Sequence, residues 1–127
     1  MERASMEHGE RFLRLVENAK SDVREVSVSD VKRKLDRGER FELVDVREEA
    51  EWAAGRVPGA RHLGKGILER DVENAIPSPN AEIVLYCGGG YRSILAAEQL
   101  QKMGYTRVTS MEGGYRGWTE AGLPTFN

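Results

Sequence analysis

The apolar run Ile83-Val84-Leu85-Tyr86 passes directly into Cys87-Gly88-Gly89-Gly90-Tyr91-Arg92-Ser93, and a helical stretch from Ser93 to Met103 leads away. No other stretch restricts the fold as strongly. A short continuous apolar run bounded by glycine fits a strand buried on both faces. A strand that turns through a tight loop straight into a helix begins a crossover unit, and such units build parallel sheets. Consecutive glycines let successive backbone N–H groups turn toward one point. Such a nest attracts anions, and the positive end of the following helix reinforces it. Cys87, the one cysteine of the chain, stands at the mouth of the nest. A sulfur facing those donors is expected as thiolate, with Arg92 adding positive charge at the end of the loop. Taken singly, these residues describe a core thiol beside a sharp corner. Taken together, they describe a nucleophile in a cradle for negative charge.

The rest of the chain supplies the partners such a unit needs. Residues 10 to 23 have helical periodicity, with Phe12, Leu15, Val16, Ala19 and Val23 on one face. Val26-Ser27-Val28 reads as a first strand, with Ser29 as N-cap of a helix over 30–36 that Gly38 stops. Phe41 to Val46 is a second near-continuous apolar strand. A short helix follows over 48–54, and Pro58-Gly59 fits a type II turn. Residues 60–63 read as a third strand and 67–74 as a helix. Strands over 82–86 and 107–109, with a helix over 112–120, complete an α/β pattern. In such sheets ligands bind beyond the carboxyl ends of the strands. Two strands here end in chemically loaded residues, Asp45-Val46-Arg47 and Cys87.

Three stretches together resemble the rhodanese family of sulfurtransferases. Cys87-x-x-Gly90-x-Arg92-Ser93 is similar to its active-site loop. Asp45-Val46-Arg47, then Glu51-Trp52, Gly55 and Val57-Pro58-Gly59-Ala60, resembles its upstream signature. Gly113-Gly114-Tyr115-x-x-Trp118, then Gly122-Leu123-Pro124, resembles its closing signature. The likeness covers residues 25–127, expected as a rhodanese domain after an N-terminal helical extension over 1–24. It implies a five-stranded parallel sheet with helices on both faces, in which the ends of the second and fourth strands are neighbours. Arg56 departs from the pattern, standing where a histidine is common. A local structural effect is expected there.

The resemblance implies that Cys87 takes the outer sulfur of a donor, thiosulfate or a persulfide, and passes it to cyanide, a thiol or a protein. Gly88, Gly89, Gly90, Tyr91, Arg92 and Ser93 would bind the donor, with Arg92 orienting it through paired hydrogen bonds. Asp45 and Arg47 are expected behind the site, as supports for neighbouring backbone. Glu51 and Trp52 read as helix packing with a surface carboxylate, and Lys65 and Arg70 as solvated charges near the pocket mouth. The alternatives are a non-enzymatic or relay sulfur carrier and a phosphatase of the same fold. Phosphatases of that fold have five residues between cysteine and arginine, whereas four separate Cys87 from Arg92. The smaller ring suits sulfur better than phosphate.

Composition bounds the remaining choices. A net charge of −2 and the lack of a basic stripe give no ground for a nucleic-acid partner. No apolar run approaches the roughly eighteen residues a membrane span needs, and Met1 to His8 has no signal-peptide core. One cysteine excludes an intramolecular disulfide and a cysteine-based metal cluster. His8 and His62 have no partners at metal-ligand spacing. No metal or cofactor is expected, and a reducing cytoplasm is the simplest location.

Overall fold

The computed structural model describes residues 8–127. Residues 1–7, the start of the expected extension, lie outside the described residues. The described elements are α1 (Glu10–Lys20), β1 (Arg24–Val26), α2 (Val28–Asp36), β2 (Glu42–Asp45), α3 (Glu49–Ala54), β3 (Arg61–His62), α4 (Leu68–Ala75), β4 (Ile83–Tyr86), α5 (Arg92–Lys102), β5 (Val108–Met111) and α6 (Gly114–Glu120). No helix among the described residues is long and apolar enough to cross a membrane.

The five strands form one parallel sheet in the order β1-β5-β4-β2-β3. β4 is the middle strand, and all of its residues are buried. Successive side chains on a strand point to opposite faces, and both faces here are apolar. Leu43, Val84, Tyr86 and Met111 pack with Val31 of α2, Val57 and Trp118 of α6. Val44, Ile83, Leu85 and Cys87 pack on the other side, with Ala19 of α1, Val72 of α4 and Ile94 of α5. Full burial of one such aliphatic side chain contributes ~1.5–3 kcal/mol relative to exposure. The continuous apolar run of β4 and the Leu43-Val44 pair at the middle of β2 are therefore what a sheet covered on both faces demands. Asp45 lies level with Tyr86 across the β2–β4 pair. The two chemically loaded strand ends are thus neighbours, as the resemblance implied.

Several boundaries differ from the sequence expectation for identifiable reasons. Ser27, not Ser29, caps α2. Its hydroxyl accepts from the Asp30 N–H at 3.0 Å, and the Asp30 carboxylate accepts from the Ser27 N–H at 3.5 Å. A reciprocal box needs an acid three residues after the cap; Ser27 has Asp30 there, and Ser29 has Lys32. The strand expected over 26–28 is accordingly displaced to Arg24–Val26. β5 runs to Met111, because Ser110 and Met111 pair with Glu25 and Val26 of β1. On α1, Val16 and Ala19 are buried, but Leu15 is 54% exposed, so the apolar face is narrower than its periodicity indicates. Gly59 takes φ +88°, and the Ala60 N–H reaches the Val57 carbonyl at 3.2 Å, closing the expected turn.

Candidate active site

The loop between β4 and α5 wraps its backbone around one sulfur. Cys87 Sγ accepts the Gly90 N–H at 3.1 Å and the Ser93 N–H at 3.4 Å. The Ser93 hydroxyl stands 3.5 Å from the sulfur and 2.7 Å from the Ser110 hydroxyl, and both serines are fully buried. The thiol therefore sits at the first turn of α5, where unpaired N–H groups and the helix dipole both favour negative charge.

The loop carbonyls are turned the other way, toward α6. The Tyr115 N–H donates to the Cys87 carbonyl at 2.8 Å, and the Arg116 N–H to the Gly88 carbonyl at 2.9 Å. Gly114 makes this approach possible. It takes φ +59°, and a Cβ built there would stand 2.5 Å from the Cys87 carbonyl oxygen. Gly90, at φ +100°, rests against the backbone of Gly113 in the same way, its Cβ position 3.2 Å from that nitrogen. The closing Gly113-Gly114 pair is thus the surface on which the sulfur loop lies.

Arg92 faces the cleft with its fork engaged. Its Nη1 and Nη2 donate to Glu51 Oε1 and Oε2 of α3 at 3.0 and 3.1 Å. The Arg92 hydrogen bonds hold the Glu51 carboxyl below its ordinary value near 4.5, against a smaller opposing effect of burial. The same bonds raise the Arg92 pKa. Glu51 is therefore part of the site, correcting its reading as a plain surface carboxylate.

Asp45 and Arg47 form a buried pair beside the site. Arg47 Nη2 donates to Asp45 Oδ2 and to the Gly55 carbonyl, both at 2.7 Å. Its Nε and backbone N–H also reach Asp45 Oδ1, at 3.0 and 2.9 Å. Burial is the largest single influence on Arg47 and opposes its charge, but hydrogen bonding to Asp45 and the attraction of the Asp45 charge, with smaller help from Tyr86 and Glu51, together exceed it and the pKa rises. Tyr86, whose hydroxyl accepts the Val57 N–H at 3.1 Å, is driven well above its ordinary value, by burial first and the Asp45 charge second. Gly55 closes α3, so this pair anchors the end of the helix that carries Glu51.

A cleft of about 490 Å³ opens over the sulfur. The loop lines it with Cys87, Gly88, Gly89, Tyr91 and Arg92, α3 with Glu51 and α6 with Arg116. His8, Gly9 and Phe12 line it from the N-terminal side. A larger hollow of about 690 Å³ lies beside α2, between Val28, Lys32 and Leu123. Cys87 does not line it, so the smaller cleft is the candidate site.

Lys65 does not line the cleft among the described residues, and Arg70 is an exposed partner of Asp71. Arg56 lies 4.5 Å over the Trp52 ring and pairs through its backbone with Phe126. Four contributors carry little signal in the sequence. Glu51 is the acid of a capping box on Glu48, a role that hides its second one. Arg116 lies two residues beyond Gly114, the glycine on which the loop rests. Ser110 and Phe12 are ordinary residues of a strand and an amphipathic helix.

The family model for the Rhodanese-like domain matches residues 27–121. A Bacillus subtilis protein named "Putative sulfur carrier protein YrkF" is 35% identical over 81% of this chain. The chain spans about half, 54%, of that relative's length. An Allochromatium vinosum protein named "Sulfurtransferase" is 34% identical over 80% of this chain and 94% of its own length. Among solved structures, a Rhodopseudomonas palustris "Protein of Unknown Function", "Possible Tyrosine Phosphatase", superposes with a TM-score of 0.82 at 30% identity. It covers 94% of this chain and 95% of its own. With three-quarters of its length matched and its cysteine loop lying on the closing glycine pair, the chain belongs to the rhodanese-like domain family.

Proposed function

We propose that the protein transfers sulfane sulfur through a persulfide on Cys87, with thiosulfate or an organic persulfide as donor. The Cys87 thiolate attacks the outer sulfur of the donor. A new S–S bond forms, the donor's own S–S bond breaks, and its electron pair leaves with sulfite or the donor thiolate. The persulfide anion on Cys87 is stabilised by the same kind of preorganised N–H donors that hold the sulfur at rest. A thiophilic acceptor, cyanide or a small or protein-borne thiol, then attacks the outer sulfur and returns Cys87 as thiolate. Arg92 and Arg116 answer the negative charge of an incoming donor, and Asp45 and Arg47 keep α3 in place. A reducing compartment suits this chemistry, because the thiolate stage must survive between cycles.

The observation that carries this reading is the pair of N–H donors aimed at Cys87 Sγ on the floor of the cleft. The four-residue interval between Cys87 and Arg92 disfavours phosphatase chemistry, the activity in the name of the Rhodopseudomonas palustris neighbour. A relay carrier, charged by another protein, uses the same Cys87 persulfide, and the name of the Bacillus subtilis relative favours it as the second reading.

Intact-mass spectrometry tests the proposal. After incubation with thiosulfate or glutathione persulfide, the protein should gain the mass of one sulfur atom, and cyanide should remove it. Cys87→Ser should fold and gain nothing. Loading by a cysteine desulfurase alone would favour the relay. Loading of the serine variant, or hydrolysis of aryl phosphates by the unmodified chain, would refute the reading.

A further inference from the structure

The N-terminal segment reaches into the cleft. The His8 ring lies 5.2 Å from the Tyr91 ring and 5.3 Å from the Phe12 ring, and Phe12 lies 6.2 Å from Tyr91. The three rings are mutually tilted, an arrangement aromatic pairs favour. Tyr91 belongs to the sulfur loop itself, between Gly90 and Arg92. The other two rings precede or sit on α1, which Val16 and Ala19 fasten into the core against α5. His8, Phe12 and Tyr91 are each only partly buried, and all three line the cleft.

The cleft has a second, contrasting wall. The Arg116 guanidinium sits over Gly89, about 3.8 Å from where a Cβ would stand. Among the described residues no carboxylate forms an ion pair with it. Rings on one side and a cation on the other, around about 490 Å³, exceed what an ion as small as thiosulfate would occupy. Pockets of roughly 300–1,000 Å³ bury ligands of drug size. The family model begins its match at residue 27, so the ring wall is contributed in part by residues outside that match.

We propose that His8 and Phe12, with Tyr91, form a specificity wall that selects a carboxylate-bearing organic persulfide over thiosulfate as the sulfur donor. The carbon skeleton packs on the rings, and the carboxylate meets Arg116. This inference rests on the sulfur-transfer reading above. In the step it governs, the Cys87 thiolate attacks the outer sulfur of R–S–SH. The bond from Cys87 Sγ to the outer sulfur forms, and the donor's RS–SH sulfur–sulfur bond breaks. The electron pair leaves with R–S⁻, and the proton of the transferred sulfur passes to that thiolate, so the products are R–SH and the persulfide anion on Cys87. Cys87 is oxidised to the persulfide level as the donor is reduced to a thiol, so no further oxidant enters.

The test compares kcat/KM for glutathione persulfide with that for thiosulfate, using the full chain. The unmodified protein should favour the organic donor. His8→Ala and Phe12→Ala should each lower the ratio of the two values about three- to tenfold, the scale of one lost aromatic contact. Phe12 also touches the core, so Phe12→Leu, which keeps an apolar side chain there, is the companion variant. It should lower the ratio with a melting temperature close to the unmodified one. A ratio that stays constant while both rates fall would make the rings a mere support for the loop and overturn the inference. So would a preference for thiosulfate in the unmodified protein, which leaves sulfur transfer intact. Failure of every donor to load Cys87 would instead remove the sulfur-transfer reading, and this inference with it.

Discussion

Glu51 puts a carboxylate in the cleft that is proposed to receive an anionic donor, and its pairing with Arg92 decides how much of that charge the donor meets. A guanidinium has five N–H donors; Glu51 takes two of Arg92's. Glu51→Gln removes the negative charge and frees the fork. The KM for thiosulfate should then fall several-fold, up to about tenfold at low salt, where charge interactions are least screened. The KM for a neutral dialkyl trisulfide should move far less. A rise in KM, or an equal collapse of kcat on both donors, would show that the pair serves loop architecture instead. The cost in stability should be under about 1 kcal/mol, because both side chains are about one-third exposed and solvent-screened. Its pH dependence has a definite sign. Glu51 ionises more readily folded than unfolded, so the pair's contribution is complete above about pH 4.5 and is lost as pH falls through the lower folded value. Urea midpoints of the two proteins should therefore differ at pH 7 and converge in acid. None of this was legible in the sequence. The spacing of Glu48 and Glu51 announces a capping box, and nothing local announces an arginine forty-one residues away in the chain.

The element that holds the sulfur loop is α6, through hydrogen bonds from its first turn to the Cys87 and Gly88 carbonyls. Gly114→Ala tests that role. Alanine at φ +59° costs about 1–2 kcal/mol, and a Cβ 2.5 Å from a backbone oxygen adds overpacking of ~1–3 kcal/mol. The loop has to move, so sulfur loading should fall with stability. Gly113→Ala is the control. Its φ is +83°, but the nearest atom to its Cβ position is 3.5 Å away, so only the conformational cost applies. Equal destabilisation and equal activity in the two variants would argue against the close approach as the organising contact. The element pattern itself was largely readable, and the reasons are local. β4 is a continuous apolar run, β2 carries Leu43 and Val44 in a near-continuous one, and glycines mark the ends of α2, α3 and α5. The start of α2 was misplaced by two residues because two serines compete for the cap. The choice between them lies in Asp30, three residues on, rather than in either serine.

At the scale of the whole molecule, the sequence carries the sheet more clearly than the site. The cysteine, its glycines and the closing glycine pair lie in recognisable stretches, whereas the cleft draws one wall from α3, one from α6 and one from α1. An amphipathic helix specifies that one face is buried and leaves open which surface buries it, so the docking of α1 on α5 had no sequence signature. The count of one cysteine does have a consequence for the whole cycle. In the proposed cycle, once Cys87 carries the transferred sulfur no second thiol of this chain can attack it, and the Gly90 and Ser93 amides that reach Sγ are the donors available to the persulfide's charge. The loaded protein should persist until an external acceptor arrives, with the first product already gone. Initial rates with donor and acceptor both varied should give parallel double-reciprocal lines, the pattern of a covalent intermediate in a ping-pong cycle. The loaded species should survive desalting and be discharged stoichiometrically by cyanide. Intersecting lines, with no sulfur-bearing protein at any acceptor concentration, would place donor and acceptor in the cleft together and replace the two-step cycle with direct transfer.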